Sequence, residues 1–245
     1  LRGYQVEPPG LDLMAEDTFF TFLLRKALAK EPEQIHPRRT AVGTSNWQQI
    51  PFCVEAMLAI APLRALDVGI GFGRWGMLVR EFCEEWQGRV HRENWRVWLE
   101  GIEIYPENIE EYQHMLYNWI HVGDCAEIIA GMDQDWDLII FGDVLDHLPK
   151  QTAWHTLQTA INRSGYVLLN IPVGPGWQLG AAYGNPYEEK RSFWEVEEFL
   201  ALAPLRHAVF RESGGRAYAT FLFSKHDPRH LRRPAAQSAA QVNHA

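Results

Sequence analysis

Residues 64–76 read RALDVGIGFGRWG, a short apolar stretch that runs into a glycine-rich turn and the start of a helix-like pattern. Glycine lets a ligand approach the backbone closely, and a helix that begins after such a turn presents N–H groups to it. As a string the turn is ambiguous. Gly71, Gly73 and Gly76 fit the dinucleotide pattern G-x-G-x-x-G, whereas Gly69, Gly71 and Gly73 fit G-x-G-x-G. The stretch therefore predicts a ligand-binding loop and leaves the ligand open.

Strand-like and helix-like stretches alternate after this loop. Further strands are predicted at 96–104, 119–123, 136–142 and 165–171, and helices at 77–86, 106–118 and 152–163. Such alternation is typical of a doubly wound parallel sheet. A helix over 194–203 follows, and then two strands, 206–212 and 217–224, that Ser-Gly-Gly separates as in a hairpin. Helices are also predicted at 15–30 and from about 47 to 60. We therefore predict an α/β fold: a doubly wound, Rossmann-like, seven-stranded, mostly parallel sheet with a C-terminal antiparallel hairpin and N-terminal helices.

Composition excludes several classes of partner. The net charge of −8, from 31 acidic and 23 basic residues, argues against a nucleic-acid binder. The three cysteines lack CxxC spacing, so neither a zinc site nor a disulfide framework is predicted and a reducing compartment is favoured. Apolar runs are shorter than the roughly 18 residues of a membrane span, and the chain opens without a signal-peptide pattern. We expect a cytoplasmic protein with no membrane partner.

Acidic residues end three successive predicted strands. Asp67 precedes Gly69, where a carboxylate suits a ligand with an ammonium and a sulfonium better than a pyrophosphate. Glu103 ends the second strand, where an acid can accept hydrogen bonds from ribose hydroxyls. It lies 30 residues after Gly73, further than the usual ~20 of the dinucleotide pattern. Asp124 follows the third strand, within reach of an adenine amino group. The three acids are predicted to border one crevice.

These motifs resemble a known family. LDVGIGFGRWG, GIEIY, HVGD and DLIIFGDVLDHL are similar, in order and spacing, to the successive motifs of class I methyltransferases that use S-adenosylmethionine (SAM). The resemblance covers about 47–225 and implies SAM as cofactor. It implies that the methionine portion contacts Asp67, Gly69, Gly71 and Gly73, that Glu103 holds the ribose beside Ile104, and that Asp124 and Cys125 border the adenine. NIPVGPGW and YGNPYEEKRSFW also resemble an uncharacterised bacterial subgroup, which names no substrate.

On this resemblance the chain divides into three segments. Residues 1–46 are predicted to be a helical lead-in that can close over the crevice, 47–225 the SAM-dependent methyltransferase domain, and 226–245 an unfolded polar tail.

Candidate catalytic residues follow the fourth strand. Asp143 and His147 are four residues apart, so they share a face if this turn is helical. Histidine titrates near neutral pH, which makes His147 a candidate base. Asp143 is a candidate base, or a contact to cofactor or substrate. Asp143, Asp146 and Asn170 would offer oxygen ligands to a divalent cation, but Asn170 stands where a second acid is needed. We therefore expect no metal.

The segment 172–193 is rich in Gly, Pro and Tyr and is too long for an ordinary connection, so we predict a substrate lid. Candidate substrate contacts on it and just before it are Asn170, Trp177, Tyr183, Asn185, Tyr187 and Arg191. The alternative is that Trp177 and Tyr187 pack the segment against the sheet edge.

The predicted function is methyl transfer from SAM to a small molecule, at oxygen. One alternative is an NAD(P)-dependent oxidoreductase, which rests on Gly71, Gly73 and Gly76. Another is a SAM-binding domain without catalysis. The sequence leaves open the acceptor, the atom methylated and the oligomeric state.

Overall fold

One seven-stranded sheet runs through the part of the chain that the computed structural model describes, residues 45–177, 185–212 and 214–226. Its strands are β1 Arg64–Val68, β2 Trp98–Glu103, β3 Trp119–Val122, β4 Trp136–Gly142, β5 Ser164–Val173, β6 Arg206–Arg211 and β7 Ala217–Ser224. Their order is β3-β2-β1-β4-β5-β7-β6. Strands β1 to β5 pair in parallel, and β7 is antiparallel to both β5 and β6. The predicted mostly parallel sheet with a C-terminal antiparallel hairpin is confirmed.

Helices cover both faces of this sheet. They are α1 Ile50–Ile60, α2 Arg74–Cys83, α3 Glu111–Leu116, α4 Cys125–Gly131, α5 Lys150–Arg163 and α6 Val196–Leu200. In β4 the consecutive residues Leu138, Ile139, Ile140 and Phe141 are all fully buried. Since neighbouring side chains of a strand point to opposite faces, both faces must be covered. This explains why β4 reads as a continuous apolar run.

Two predicted helices differ from the observed ones, and one observed helix was not predicted. The predicted helix 106–118 is a 3-10 turn, Pro106–Asn108, followed by the short α3. The break arises because Glu110 starts a new helix through a capping box with Gln113. The helix predicted at 194–203 is shorter in the structure, where α6 covers only Val196–Leu200. The sequence analysis did not predict α4.

The ends of the chain are only partly described. The predicted helix from 47 to 60 is confirmed as a 3-10 turn, Trp47–Gln49, that leads into α1. The helix predicted at 15–30 and nearly all of the predicted tail 226–245 lie outside the described residues. Among the residues that are described, no helix is long and apolar enough to cross a membrane.

Candidate functional site

A cleft of about 840 Å³ lies along the carboxyl-terminal edge of the parallel strands. Residues that end or follow five strands line it: Gly69 and Gly71 after β1, Glu103 and Ile104 at β2, Asp124 and Cys125 after β3, Asp143 after β4, and Pro172 near the end of β5. Ligands of open α/β sheets bind at this edge. The volume lies within the range of small-molecule sites.

The glycine loop that follows β1 forms one wall. Gly69 has φ +71°, and a Cβ on it would lie 2.4 Å from Val144 Cγ2, so glycine is required there for two reasons. The N–H groups of Gly69 and Ile70 donate to Ile102 O at 2.8 and 3.0 Å, which ties the loop to the end of β2. Gly71 also lines the cleft, whereas Gly73, just before α2, does not.

Glu103 holds this loop from the neighbouring strand. Its Oε2 accepts from Gly71 N–H and its Oε1 from Tyr105 N–H, both at 2.9 Å. Burial raises the pKa of Glu103, and the two backbone donors oppose that rise. A carboxylate oxygen can accept more than one hydrogen bond. Glu103 can therefore hold the loop and still accept hydroxyl donors from a ligand in the cleft.

Asp124 and Cys125 line the cleft at the start of α4. Asp124 caps this helix by accepting from Ala126 N–H at 2.7 Å. The Cys125 thiol is buried, and burial raises its pKa to about 12. Asp124 thus has a structural role together with its position in the cleft, and Cys125 is an unreactive wall residue.

Asp67 lies behind the loop and does not line the cleft. Its Oδ2 accepts from Tyr117 OH at 2.6 Å and from Gly76 N–H at 3.1 Å. Its Oδ1 is buried without a partner among the described residues. Burial raises the pKa of Asp67 to about 7. Direct contact of Asp67 or Gly73 with a ligand stays a prediction.

Asp143 and His147 both line the cleft. They do not share a helical face, because the 3-10 turn covers only Leu145–His147 and Asp143 before it has φ +59°. Asp143 accepts a hydrogen bond from Ser45, and its Oδ1 is buried without a partner in the described chain. Burial, and then repulsion by Asp146, raise its pKa to about 6.

Asp146 and Asn170, which were considered as oxygen ligands for a cation, make contacts with other side chains. Asp146 is buried, pairs with Lys190 and does not line the cleft. Asn170 also lies outside the cleft, where its Oδ1 accepts from Thr220 Oγ1 at 2.7 Å and from Cys53 Sγ at 3.3 Å. Within the described ranges, no group of three or more His, Cys, Asp or Glu residues is placed to hold a metal ion.

The segment after β5 and the β6–β7 hairpin form the other wall. Of the predicted substrate contacts, four line the cleft, namely Trp177, Asn185, Tyr187 and Arg191, and Tyr183 lies outside the described residues. Their contact with a substrate stays a prediction. Trp177 also packs edge-on against Tyr218, with ring centroids 4.9 Å apart, so packing and lining occur together. Polar and charged cleft residues that we did not single out are Ser45, Asn108, Glu188, Lys190, Arg216 and Tyr218.

No protein-family model matches the chain, and no curated protein matches its sequence. Among solved structures, the chain is similar to TehB from Haemophilus influenzae, at 16% identity and a TM-score of 0.51, over 71% of this chain and 62% of TehB. It is also similar to the N-terminal domain of EvdMO1, crystallised with SAH and D-fucose (14% identity, TM-score 0.49, 74% of this chain and 84% of that one). Magnesium protoporphyrin IX methyltransferase (ChlM) from Synechocystis PCC 6803, with bound SAH, gives 14% identity and a TM-score of 0.49 over 76% of this chain and 90% of that one. The chain shares its fold with TehB over the matched part, a Rossmann-like, mostly parallel seven-stranded sheet with antiparallel C-terminal strands.

Proposed function

We propose that this chain is an enzyme that transfers a methyl group from SAM to an oxygen atom of a small-molecule acceptor. The observation that carries the proposal is that one cleft joins the glycine loop and Glu103, at its β1–β2 side, to Asp143 after β4. In this fold the first side suits the cofactor and the second suits the acceptor. A cytoplasmic location and the absence of a nucleic-acid or membrane partner remain predictions from the sequence.

The residues of the first side fit SAM. Glu103 has lone pairs for the ribose hydroxyls, and Gly69 and Gly71 allow close approach to the loop backbone. Asp124 lines the cleft after β3 and would accept from the adenine amino group. Asp67 behind the loop adds negative potential that favours a cationic ligand once it ionises above its pKa of about 7.

Bound SAM supplies a methyl group on a sulfonium leaving group, so the protein's tasks are to bind, orient and exclude water. Asp143 supports an oxygen acceptor, because a hydroxyl must lose its proton during transfer. With a pKa of about 6, Asp143 is ionised at neutral pH, and its Oδ1 lacks a donor among the described residues. An acceptor hydroxyl would supply that donor and pass its proton to Asp143. His147 lines the same cleft and its Nδ1 lies 3.1 Å from Glu189 O.

The two alternatives are outcomes of one test. Dinucleotide-binding sheets have the order 3-2-1-4-5-6, and the antiparallel β7 between β5 and β6 departs from it. Calorimetry with SAM, SAH and NAD⁺ is expected to give saturable binding of SAM and SAH only. Methyl-labelled SAM is then incubated with hydroxyl compounds and with their amine counterparts. We expect label in the hydroxyl series. Binding of NAD⁺ alone would overturn the proposal. Binding of SAM with no label in either series would indicate a SAM-binding domain without catalysis, and label in amines alone would overturn the oxygen assignment.

A further inference from the structure

The cleft carries opposite charges at its two ends. Glu103 and Asp124 line the end at β2 and β3. Glu188 also lines the cleft, two residues before Lys190, and it acts electrostatically on Glu103. Lys190 and Arg216 line the other end, beside β5 and β7. Four inter-strand steps separate β2 from β7, so at about 4.8 Å a step the two ends lie roughly 19 Å apart. The acidic end matches the proposed cofactor, and the basic end requires another explanation.

One aromatic ring brings the two basic residues together. Lys190 Nζ and Arg216 Cζ each lie 5.2 Å from the ring centroid of Trp177, within cation–π range. Trp177 is itself held by a hydrogen bond from its Nε1 to Val173 O at 3.1 Å and by its edge-on contact with Tyr218. Two cations from distant parts of the chain therefore converge on one fixed ring in the cleft wall.

With respect to the described residues, Nη1 of Arg216 has no hydrogen-bond partner and is available to a ligand. Its Nε and Nη2 contact Glu212 Oε2 at 3.0 and 2.8 Å. A guanidinium has five N–H donors in a planar fork, which suits carboxylate and phosphate oxygens. Glu212 also accepts from Asn46 and Tyr218, so its charge is shared among three donors. Lys190 is mostly buried and pairs with Asp146, so its charge is largely balanced there and Arg216 is the cation that remains for a ligand.

We infer that the methyl acceptor carries an anionic oxygen group, a carboxylate or a phosphate, which Arg216 binds beside Trp177. The acceptor hydroxyl then lies toward Asp143, between the anion and the cofactor. This inference rests on the proposed function, because it assigns the basic end of the cleft to the acceptor.

The test is calorimetric titration of SAH-saturated protein with benzoate, with inorganic phosphate, and with benzamide as the neutral counterpart of benzoate. We expect saturable binding of benzoate or phosphate, and the anion that binds distinguishes the two chemistries. Arg216→Gln is expected to weaken that binding about tenfold, since it removes a charge-assisted contact. Arg216→Lys keeps the positive charge and should therefore lose less anion affinity than Arg216→Gln. The matched control is Arg206→Gln, an exposed arginine on β6 that pairs with Glu55 outside the cleft, and it should leave binding unchanged.

The outcomes separate the two proposals. Failure of SAH to bind the wild-type protein would overturn the proposed function. Normal SAH binding without anion binding, or equal anion affinity in Arg216→Gln and wild type, would overturn only this inference. So would benzamide binding as tightly as benzoate. If Arg216→Gln weakens SAH itself, the arginine binds the cofactor carboxylate and the inference is wrong. Unchanged SAH affinity in that variant also shows that it has folded.

Discussion

Replacing Asp67 by asparagine removes a buried charge and keeps the shape of the side chain. Oδ2 of Asp67 accepts from both Tyr117 OH and Gly76 N–H, and an amide oxygen can accept both of these bonds. The amide nitrogen would occupy the position of Oδ1, which has no partner in the described part of the chain. The substitution therefore changes charge far more than it changes packing.

The expected effect of this substitution on stability follows from the pKa of Asp67, which burial raises from 3.8 to about 7. An acid whose pKa is higher in the folded state destabilises the fold as it ionises. The wild-type protein therefore loses stability as pH rises from about 4 to 7. Each pH unit in that window changes the free energy of unfolding by about 1.4 kcal/mol. Between pH 5 and pH 8, the free energy of unfolding of Asp67→Asn should rise by about 3 kcal/mol relative to that of the wild-type protein. The amide N–H groups introduced by the substitution would lack a partner, which lowers the stability of the variant by about 1–3 kcal/mol. Because this cost is the same at every pH, it does not affect the change between pH 5 and pH 8.

Urea denaturation of both proteins at pH 5, 6, 7 and 8 measures this difference. Other groups titrate alike in both proteins, so the difference between them isolates Asp67. Asp133→Asn, a substitution of an exposed acid, is the matched control and should show no trend with pH. A difference between Asp67→Asn and wild type that is constant with pH, or that falls as pH rises, would refute the reasoning.

The same variant tests the role of Asp67 toward the cofactor. SAM carries a sulfonium that SAH lacks, so loss of a nearby negative charge should weaken SAM more than SAH. Calorimetry at pH 8, where Asp67 is ionised, measures both affinities. Equal losses for the two ligands would show that the charge of Asp67 does not act on the sulfonium.

Three further substitutions test the cleft. Glu103→Gln should raise the Kd for SAM roughly 10- to 150-fold in calorimetry, because a hydrogen bond to a charged group contributes about 1.5–3 kcal/mol; exposed Glu107→Gln should not change it. Asp143→Asn should lower kcat by about 10²–10⁴-fold in labelled transfer. Wild-type turnover should rise through about pH 6, as Asp143 ionises, and the variant should lose that step. Gly69→Ala should lower urea stability by about 1–3 kcal/mol, from its φ of +71° and its clash with Val144. Adding Val144→Ala to this variant should restore only part of the lost stability, because it removes the clash but not the backbone strain.

Contrary results are equally specific. A Kd for SAM within twofold of wild type in the Glu103 variant would remove Glu103 from the ribose site. Unchanged turnover and pH profile in the Asp143 variant would exclude Asp143 as the base. Full recovery of stability in the Gly69–Val144 double variant would assign the whole effect to the clash.

Local patterns in the sequence were enough for most of the sheet. The apolar run of β4 and the glycine turn after β1 can each be predicted from a few consecutive residues. The missed helix α4 shows the limit of this reasoning. It has seven residues, of which Cys125 and Ile129 are buried, which is too short for a clear helical period. We interpreted its capping residue, Asp124, as a ligand contact and not as a helix cap.

Cleft residues were predictable where they directly follow parallel strands. Glu103 and Asp143 belong to this group, because parallel strands end at one edge of the sheet. Arg216 and Tyr218 could not be found in this way. They reach the cleft because β7 inserts between β5 and β6 and pairs Ala217 with Val173 at the end of β5. That pairing is non-local, and no spacing in the sequence indicates it.

Asn170 shows how one such pairing changes the role of a predicted residue. The sequence placed Asn170 at the end of the fifth strand, but β5 continues to Val173, so Asn170 lies between Gly142 on β4 and Thr220 on β7. Its backbone O accepts from Asp143 N–H at 3.0 Å, which helps to hold Asp143 in its left-handed conformation. A non-glycine residue there costs on the order of 1–3 kcal/mol, and glycine would adopt the same backbone without that cost. The fold alone therefore does not require aspartate at position 143. The strain is explained if the carboxylate acts on a ligand in the cleft, and Asn170 then contributes by positioning Asp143.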